Sequence, residues 1–187
     1  MARTPSNMLP LGTELPDANL PDPNNQFWRL SDSLDNNGLL VMFICNHCPF
    51  VIHIAPFLET LHDRLRDLGI QVVAINSNDI KTHPDDSPDK MCEFAARYRL
   101  PFPYLFDESQ KVARRFDAAC TPDFFLFNSK GRLAYRGQLD DSRPGNDLPV
   151  TGQDLLAAAE QVARGERPPE AEQKPSMGCN IKWKVGA

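Results

Sequence analysis

The chain has 187 residues, 41% hydrophobic, 24% charged and 9% aromatic, the profile of one globular domain and not of a collagen, a coiled coil or a disordered chain. Lys and Arg number 20 against 25 Asp and Glu, a net charge of −5, and no dense basic segment offers itself to a phosphate backbone, so no nucleic-acid partner is expected. Five cysteines are odd in number and too few for a disulfide scaffold of this size, which leaves reduced core residues or thiol chemistry.

The N-terminus, Met1 to Asn7, is not followed by an apolar run of signal-peptide length. The longest apolar stretch, Leu39 to Cys45, is far shorter than the roughly 20 residues of a membrane span. A cytoplasmic protein with no membrane partner is therefore expected, in a compartment where thiols stay reduced. The first 26 residues are rich in Pro, Asn and Asp and predict an irregular lead-in with at most one short strand. Phe27 to Leu30 predicts a strand, and Ser31 a cap on the short turn after it. Leu39 to Ile44 is continuously apolar and follows Gly38, as a strand buried on both faces should.

Val51, Ile54, Leu58, Leu61, Leu65 and Leu68 then recur at helical spacing. Gly69 ends that helix, and Pro56 within it should kink it, having no N–H to give. Ile70 to Ile75 is the next buried strand. Ser87 and Pro88 predict a capped helix start, with Met91, Phe94, Ala95 and Tyr98 facing inward. Tyr104 to Phe106 is a short strand, Ser109 to Phe116 a short helix. Asp123 to Phe127 and Leu133 to Tyr135 flank Asn128-Ser129-Lys130-Gly131 and predict an antiparallel hairpin. Asp154 to Arg164 is a last amphipathic helix, ahead of a Pro/Glu/Lys-rich linker and a terminal segment from Met177 to Val185. Alternating strands and helices followed by a hairpin predict an α/β fold with a mixed sheet.

The chemistry lies in Cys45-Asn46-His47-Cys48-Pro49, where the apolar strand meets the stripe-bearing helix. A helix start has unpaired N–H groups and partial positive charge, which stabilise a thiolate. Protonated His47 adds a second cationic stabiliser, so the thiol pKa falls and the nucleophile is populated near neutral pH. Pro49 is tolerated because its missing N–H would have had no helical partner.

This constellation resembles the thioredoxin-like superfamily, and within it the redoxin branch called the AhpC/TSA (alkyl hydroperoxide reductase/thiol-specific antioxidant) family. The resemblance runs from the lead-in, Leu11-Gly12 to Leu30, through the CxxC motif and the Thr121-Pro122 hairpin to Gly178-Cys179-Asn180-Ile181-Lys182-Trp183. It implies a three-layer fold with a central mixed sheet flanked by helices. Residues 1–165 would form the domain, lead-in included, and residues 166–187 a linker and a tail docked on it. It further implies a thiol–disulfide oxidoreductase that reduces, oxidises or isomerises protein disulfides. Cys45 would be the exposed nucleophile, Cys48 the buried resolving thiol, and Pro122, after Thr121, a cis-proline beside them.

The chain also departs from those patterns. Ile44 stands where thioredoxins have Trp, and Leu39 to Ile44 lacks their buried acid. His47 gives a Cys-x-His-Cys pattern like that of disulfide isomerases, which implies a potential less reducing than thioredoxin's. Cys48-Pro49 resembles the start of a peroxiredoxin site, which makes a thiol peroxidase with Cys48 or Cys45 as peroxidatic thiol the first alternative. Cys45 and Val41, however, stand where peroxiredoxins have Thr or Ser and Pro. A metal-binding module using Cys45, His47 and Cys48, with His53 nearby, is the second alternative.

Among the remaining residues, Cys120 and Cys179 are candidate accessory thiols. Cys92 is expected to be structural, His53 an ordinary polar residue, and His62 and His83 carry no signal. Asp85-Asp86 and Asp140-Asp141 are expected in solvated loops. No phosphate loop, nicotinamide fingerprint or flavin motif occurs. No cofactor or bound metal is therefore expected for the enzyme, and its electrons would come from a separate thiol reductant.

Overall fold

A computed structural model describes residues 3–185; the first two residues of the expected lead-in and the last two of the expected tail lie outside the described residues. In chain order the elements are β1 (Arg3–Pro5), β2 (Asn19–Pro21), β3 (Phe27–Arg29), β4 (Gly38–Phe43), α1 (Pro49–Ile54), α2 (Leu58–Asp67), β5 (Ile70–Asn76), α3 (Pro88–Tyr98), β6 (Tyr104–Phe106), α4 (Lys111–Arg115), β7 (Cys120–Thr121), β8 (Asp123–Asn128), β9 (Leu133–Gly137), α5 (Gln153–Ala163) and β10 (Met177–Asn180).

The main sheet has the order β6-β5-β4-β8-β9, parallel from β6 to β4 and antiparallel from β4 to β9. β4 is its middle strand, which explains a run with no polar residue. Leu40 and Met42 face a core shared with α1, α2, α3 and α5, while Leu39, Val41 and Phe43 face a second core with α4 and the lead-in. Successive side chains of a strand point to opposite faces, so a strand covered on both has no polar side to show. Removing such side chains from water stabilises the fold by about 1.5–3 kcal/mol each.

The expected single helix after the CxxC motif is two, joined by a 3₁₀ turn over Ala55–Phe57. Pro56 sits in that turn and supplies no N–H, so the break falls where the sequence puts it. Val51, Ile54, Leu58, Leu61 and Leu65 are all buried on the sheet. Gly69 ends α2 with φ +70°. Ser87 does precede α3, but its side chain makes no capping bond; only its carbonyl accepts, from Met91 N–H at 2.9 Å.

The lead-in holds two strands, not at most one: β2 pairs with β3, and β1 pairs with β10. β10 lies between β1 and β7 in a second, antiparallel sheet, with Thr4 opposite Gly178 and Cys179 opposite Thr121. Gly178 is required at its position. A Cβ there would lie 2.0 Å from the Thr121 carbonyl oxygen, so Gly178→Ala should push β10 off β7 and cost about 2 kcal/mol. Thermal unfolding checks this; an unchanged Tm would contradict it.

Of the second acidic pair, only Asp141 lies exposed in a loop as expected. Asp140 is buried and its carboxylate accepts the N–H groups of Ser142, Thr151 and Gly152 at 2.7–2.9 Å, fixing the approach to α5. Asp141 stays partly exposed and pairs with Lys174 at 3.0 Å.

Candidate active site

β4 ends at Phe43, and the chain turns through Cys45-Asn46-His47 before Cys48 takes the position just outside α1, with extended backbone (φ −70°, ψ 124°) and Pro49 as first helical residue. Across the site runs the Thr121-Pro122 peptide, which is cis. Thr121 touches both sulfurs of the motif: its Oγ1 is 3.3 Å from Cys45 Sγ, and its carbonyl oxygen 3.2 Å from Cys48 Sγ. Cys179, opposite Thr121 on β10, brings its own Sγ to 2.8 Å from Cys48 Sγ.

The expected exposed Cys45 is not found. Cys45 is 1% exposed and Cys48 0%. The cause is local: Thr121 packs against both thiols, and β10, paired to the strand that carries it, adds a layer which the strand-helix motif alone does not imply. The surface depression beside the cis-proline is lined by Phe50, His53, Pro122, Arg143, Ser176 and Met177 among others.

The electrostatics separate the two thiols of the motif. Cys48 is lowered to about 5, first by hydrogen bonding with Cys45 and further by Cys179 and by backbone N–H groups, that of Val51 included, against the cost of burial. Cys45 is pushed well up by its bond to Cys48, by burial and by the Asp86 carboxylate. Cys179 is pushed up to about 12, chiefly by burial. The Cys45 and Cys179 thiols and the backbone N–H groups favour the Cys48 thiolate, against burial and against the Thr121 carbonyl, which accepts from the Cys48 thiol in its protonated form. Ultraviolet thiolate absorbance should therefore titrate near pH 5 in the reduced protein. That step should vanish in Cys48→Ser, and a single transition near pH 9 in the wild type would contradict the assignment.

The acid missing from β4 comes from elsewhere. Asp86, expected in a solvated loop, is fully buried. Burial alone would raise its carboxyl, but hydrogen bonds from His47, Asn78 and Asn46 N–H outweigh that and lower it. His47 Nδ1 lies 2.8 Å from Asp86 Oδ2, and this bond holds His47 above its ordinary value against burial. Asn46 N–H and Asn78 Nδ2 donate to Asp86 at 2.8 and 2.7 Å. Tyr104 donates its hydroxyl to Asn46 Oδ1 at 2.9 Å. Asn78 Oδ1 in turn accepts Lys182 N–H at 2.8 Å, so the same network ties the CxxC loop to the terminal segment.

His83, which carried no sequence signal, stacks on His47 with ring centres 5.3 Å apart. Its pKa is lowered by burial and by the neighbouring His47 charge. His53 Nε2 lies 2.7 Å from Ser142 Oγ, and His62 stands near Asp63 and Phe102. Cys92 is exposed on α3 instead of packing beside Met91 and Phe94. Cys120 is buried, its Sγ 3.6 Å from the Pro122 carbonyl oxygen, and burial pushes its thiol far above the ordinary range. Next to it Asp123 is fully buried with Oδ1 unpaired among the described residues, and burial raises it to about 7.

A soft metal ion would meet a different ligand set from the expected one. Cys45 Sγ, a His47 ring nitrogen and an Asp86 oxygen lie within 4.8 Å of one another. Cys48 is engaged with Cys179 instead, and His53 with Ser142. Among the described residues, no helix is long and apolar enough to cross a membrane.

A CxxC motif at a strand-to-helix junction, under a cis-proline and on a mixed five-stranded sheet, defines a thioredoxin-like protein. Within that class the chain belongs to the AhpC/TSA family, whose sequence model matches residues 11–136. It is similar to the crystal structure of an uncharacterized conserved protein from Geobacillus kaustophilus (47% identity, 100% of this chain and 99% of that one, TM-score 0.96). A hypothetical protein from Sinorhizobium meliloti is similar at 45% identity, over 98% of this chain and 100% of that one, with a TM-score of 0.94. The thiol-disulfide oxidoreductase ResA of Halalkalibacterium halodurans is 25% identical over 100 residues, 54% of this chain and 53% of that protein. The chain thus spans about half the length of that curated relative.

Proposed function

We propose that the chain is a thiol–disulfide oxidoreductase acting on protein disulfides or dithiols through Cys45 and Cys48, with a separate thiol system as electron source. The observation that carries it is a pair of thiols at the start of α1, held against Thr121 of the cis Thr121-Pro122 peptide, with one of them acidified to about 5. The likeness to ResA supports the same activity. Cys48 thiolate attacks a substrate sulfur, giving a mixed disulfide and releasing the first substrate thiolate. Cys45 then loses its proton, attacks Cys48 and expels the second substrate thiolate, leaving Cys45–Cys48 oxidised and the substrate reduced by two electrons. The reverse sequence oxidises a dithiol. Pro122 and Thr121 shape the entry to the sulfurs, and His47, held above its ordinary value by Asp86, stands beside them.

This order inverts the one implied by the thioredoxin resemblance, because the carboxylate of Asp86 faces Cys45 while two thiols face Cys48. Stabilising the reduced thiolate makes the disulfide a better oxidant, since each 30 mV corresponds to about 1.4 kcal/mol. Equilibration with reduced and oxidised glutathione should give a Cys45/Cys48 potential less reducing than thioredoxin's, about −270 mV. A thioredoxin-like or lower value removes the oxidant character, and a pair that never oxidises removes the proposal. Peroxide consumption that survives Cys45→Ser but not Cys48→Ser, without disulfide turnover, would make the chain a thiol peroxidase instead.

A further inference from the structure

We propose that Cys179 is a third redox thiol, and that the disulfide moves between two positions which share Cys48: Cys45–Cys48 and Cys48–Cys179. The proposal rests on the dithiol function above and extends it to a residue 131 positions downstream of Cys48. Its basis is the placement of β10. The Cys48 and Cys179 sulfurs are 2.8 Å apart, about 0.8 Å more than a disulfide bond of about 2.05 Å. The approach is held by backbone. Cys179 is paired opposite Thr121, whose carbonyl contacts Cys48 Sγ, and Gly178 packs without a Cβ on that same carbonyl. Ile181 N–H donates to the Ala119 carbonyl at 3.1 Å and Lys182 N–H to Asn78 Oδ1 at 2.8 Å, so the segment is anchored beyond the cysteine as well. Cys179 is 2% exposed and fully protonated at neutral pH, its natural partner being the Cys48 sulfur and not the solvent.

The step balances without a further oxidant. Once substrate has oxidised the pair, Cys179 gives up its proton and attacks Cys48 Sγ. The Cys48–Cys179 bond forms, the Cys45–Cys48 bond breaks, and Cys45 leaves as a thiolate that takes the proton. No electron enters or leaves, and Cys45 is restored as a thiol while the protein stays oxidised. A mixed disulfide on Cys48 is resolved by Cys179 in the same way when Cys45 is absent.

The test uses the whole chain, oxidised with diamide, quenched in acid and alkylated, with disulfides mapped by peptide mass spectrometry in the wild type and in Cys45→Ser. The wild type should show both Cys45–Cys48 and Cys48–Cys179. Cys45→Ser should lose Cys48 and Cys179 together as one intramolecular disulfide. Cys45–Cys48 in the wild type with no Cys48–Cys179 in either protein overturns the third thiol and leaves the dithiol function intact. Neither linkage in the wild type overturns both.

Discussion

Replacing Cys48 by serine lowers disulfide turnover by more than about 10³-fold, while Cys45→Ser leaves a slower residual activity. The asymmetry follows from position. Cys48 is the sulfur in contact with Cys179, and the one lowered to about 5, first by hydrogen bonding with Cys45. Serine there removes the thiolate, which is the attacking group. Serine at position 45 removes one resolving thiol and leaves the nucleophile, with Cys179 still 2.8 Å away. Steady-state reduction of a protein disulfide by both variants checks this. The opposite ranking, with Cys45→Ser inert and Cys48→Ser trapped as a mixed disulfide, would put the thiolate on Cys45.

Asp86→Ala destabilises the fold by about 3–5 kcal/mol. Asp86 is fully buried, pairs with His47 Nδ1 at 2.8 Å, and accepts from Asn78 Nδ2 and Asn46 N–H at 2.7 and 2.8 Å. The alanine variant strands those donors inside the protein. Denaturant titration should show the midpoint fall with little change in slope, and a loss below about 1 kcal/mol would contradict this role. The pair also sets a pH window. Asp86, held below its ordinary value, contributes above its unfolded pKa and loses that contribution as pH falls through the folded one. His47, held above its ordinary value, contributes below its unfolded pKa and loses it as pH rises through the folded one. Asp86→Asn should therefore return the His47 titration, followed by NMR, toward about 6.5.

The mixed α/β sheet was legible in the sequence because its signals are local. Leu39 to Ile44 is apolar throughout, the α1–α2 stripe keeps helical spacing and breaks at Pro56, and Asn128 to Gly131 turns the hairpin. A docked tail was legible, but the pairing that makes the second sheet was not. Arg3–Pro5 and Met177–Asn180 become strands only by pairing with each other and with Cys120–Thr121, and no short-range pattern announces a partner so distant in the chain. The exposure of Cys45 is what the thioredoxin resemblance implies, and Thr121, a member of that second sheet, packs against its sulfur instead.

The site divides in the same way. Cys45, Cys48, Thr121 and Pro122 could be singled out because the motif and the Thr-Pro pair stand at recognisable junctions. Asp86 could not, since an Asp-Asp pair before a helix has the composition of a solvated loop. Only the tertiary fold turns it under the CxxC loop, where Asn76 and Asn78 secure it. Cys179 is a candidate accessory thiol in the sequence, but its place against Cys48 is a product of the register of β10 on β7.

The most direct test mixes the fully reduced protein with an excess of a protein disulfide for a single turnover, quenches in acid, and maps the thiols by mass spectrometry. Cys48 should be consumed in every oxidised chain, linked to Cys45 or Cys179, as the substrate gains a matching pair of thiols. Substrate reduced while Cys48 remains a free thiol, or no reduction at all, would contradict it.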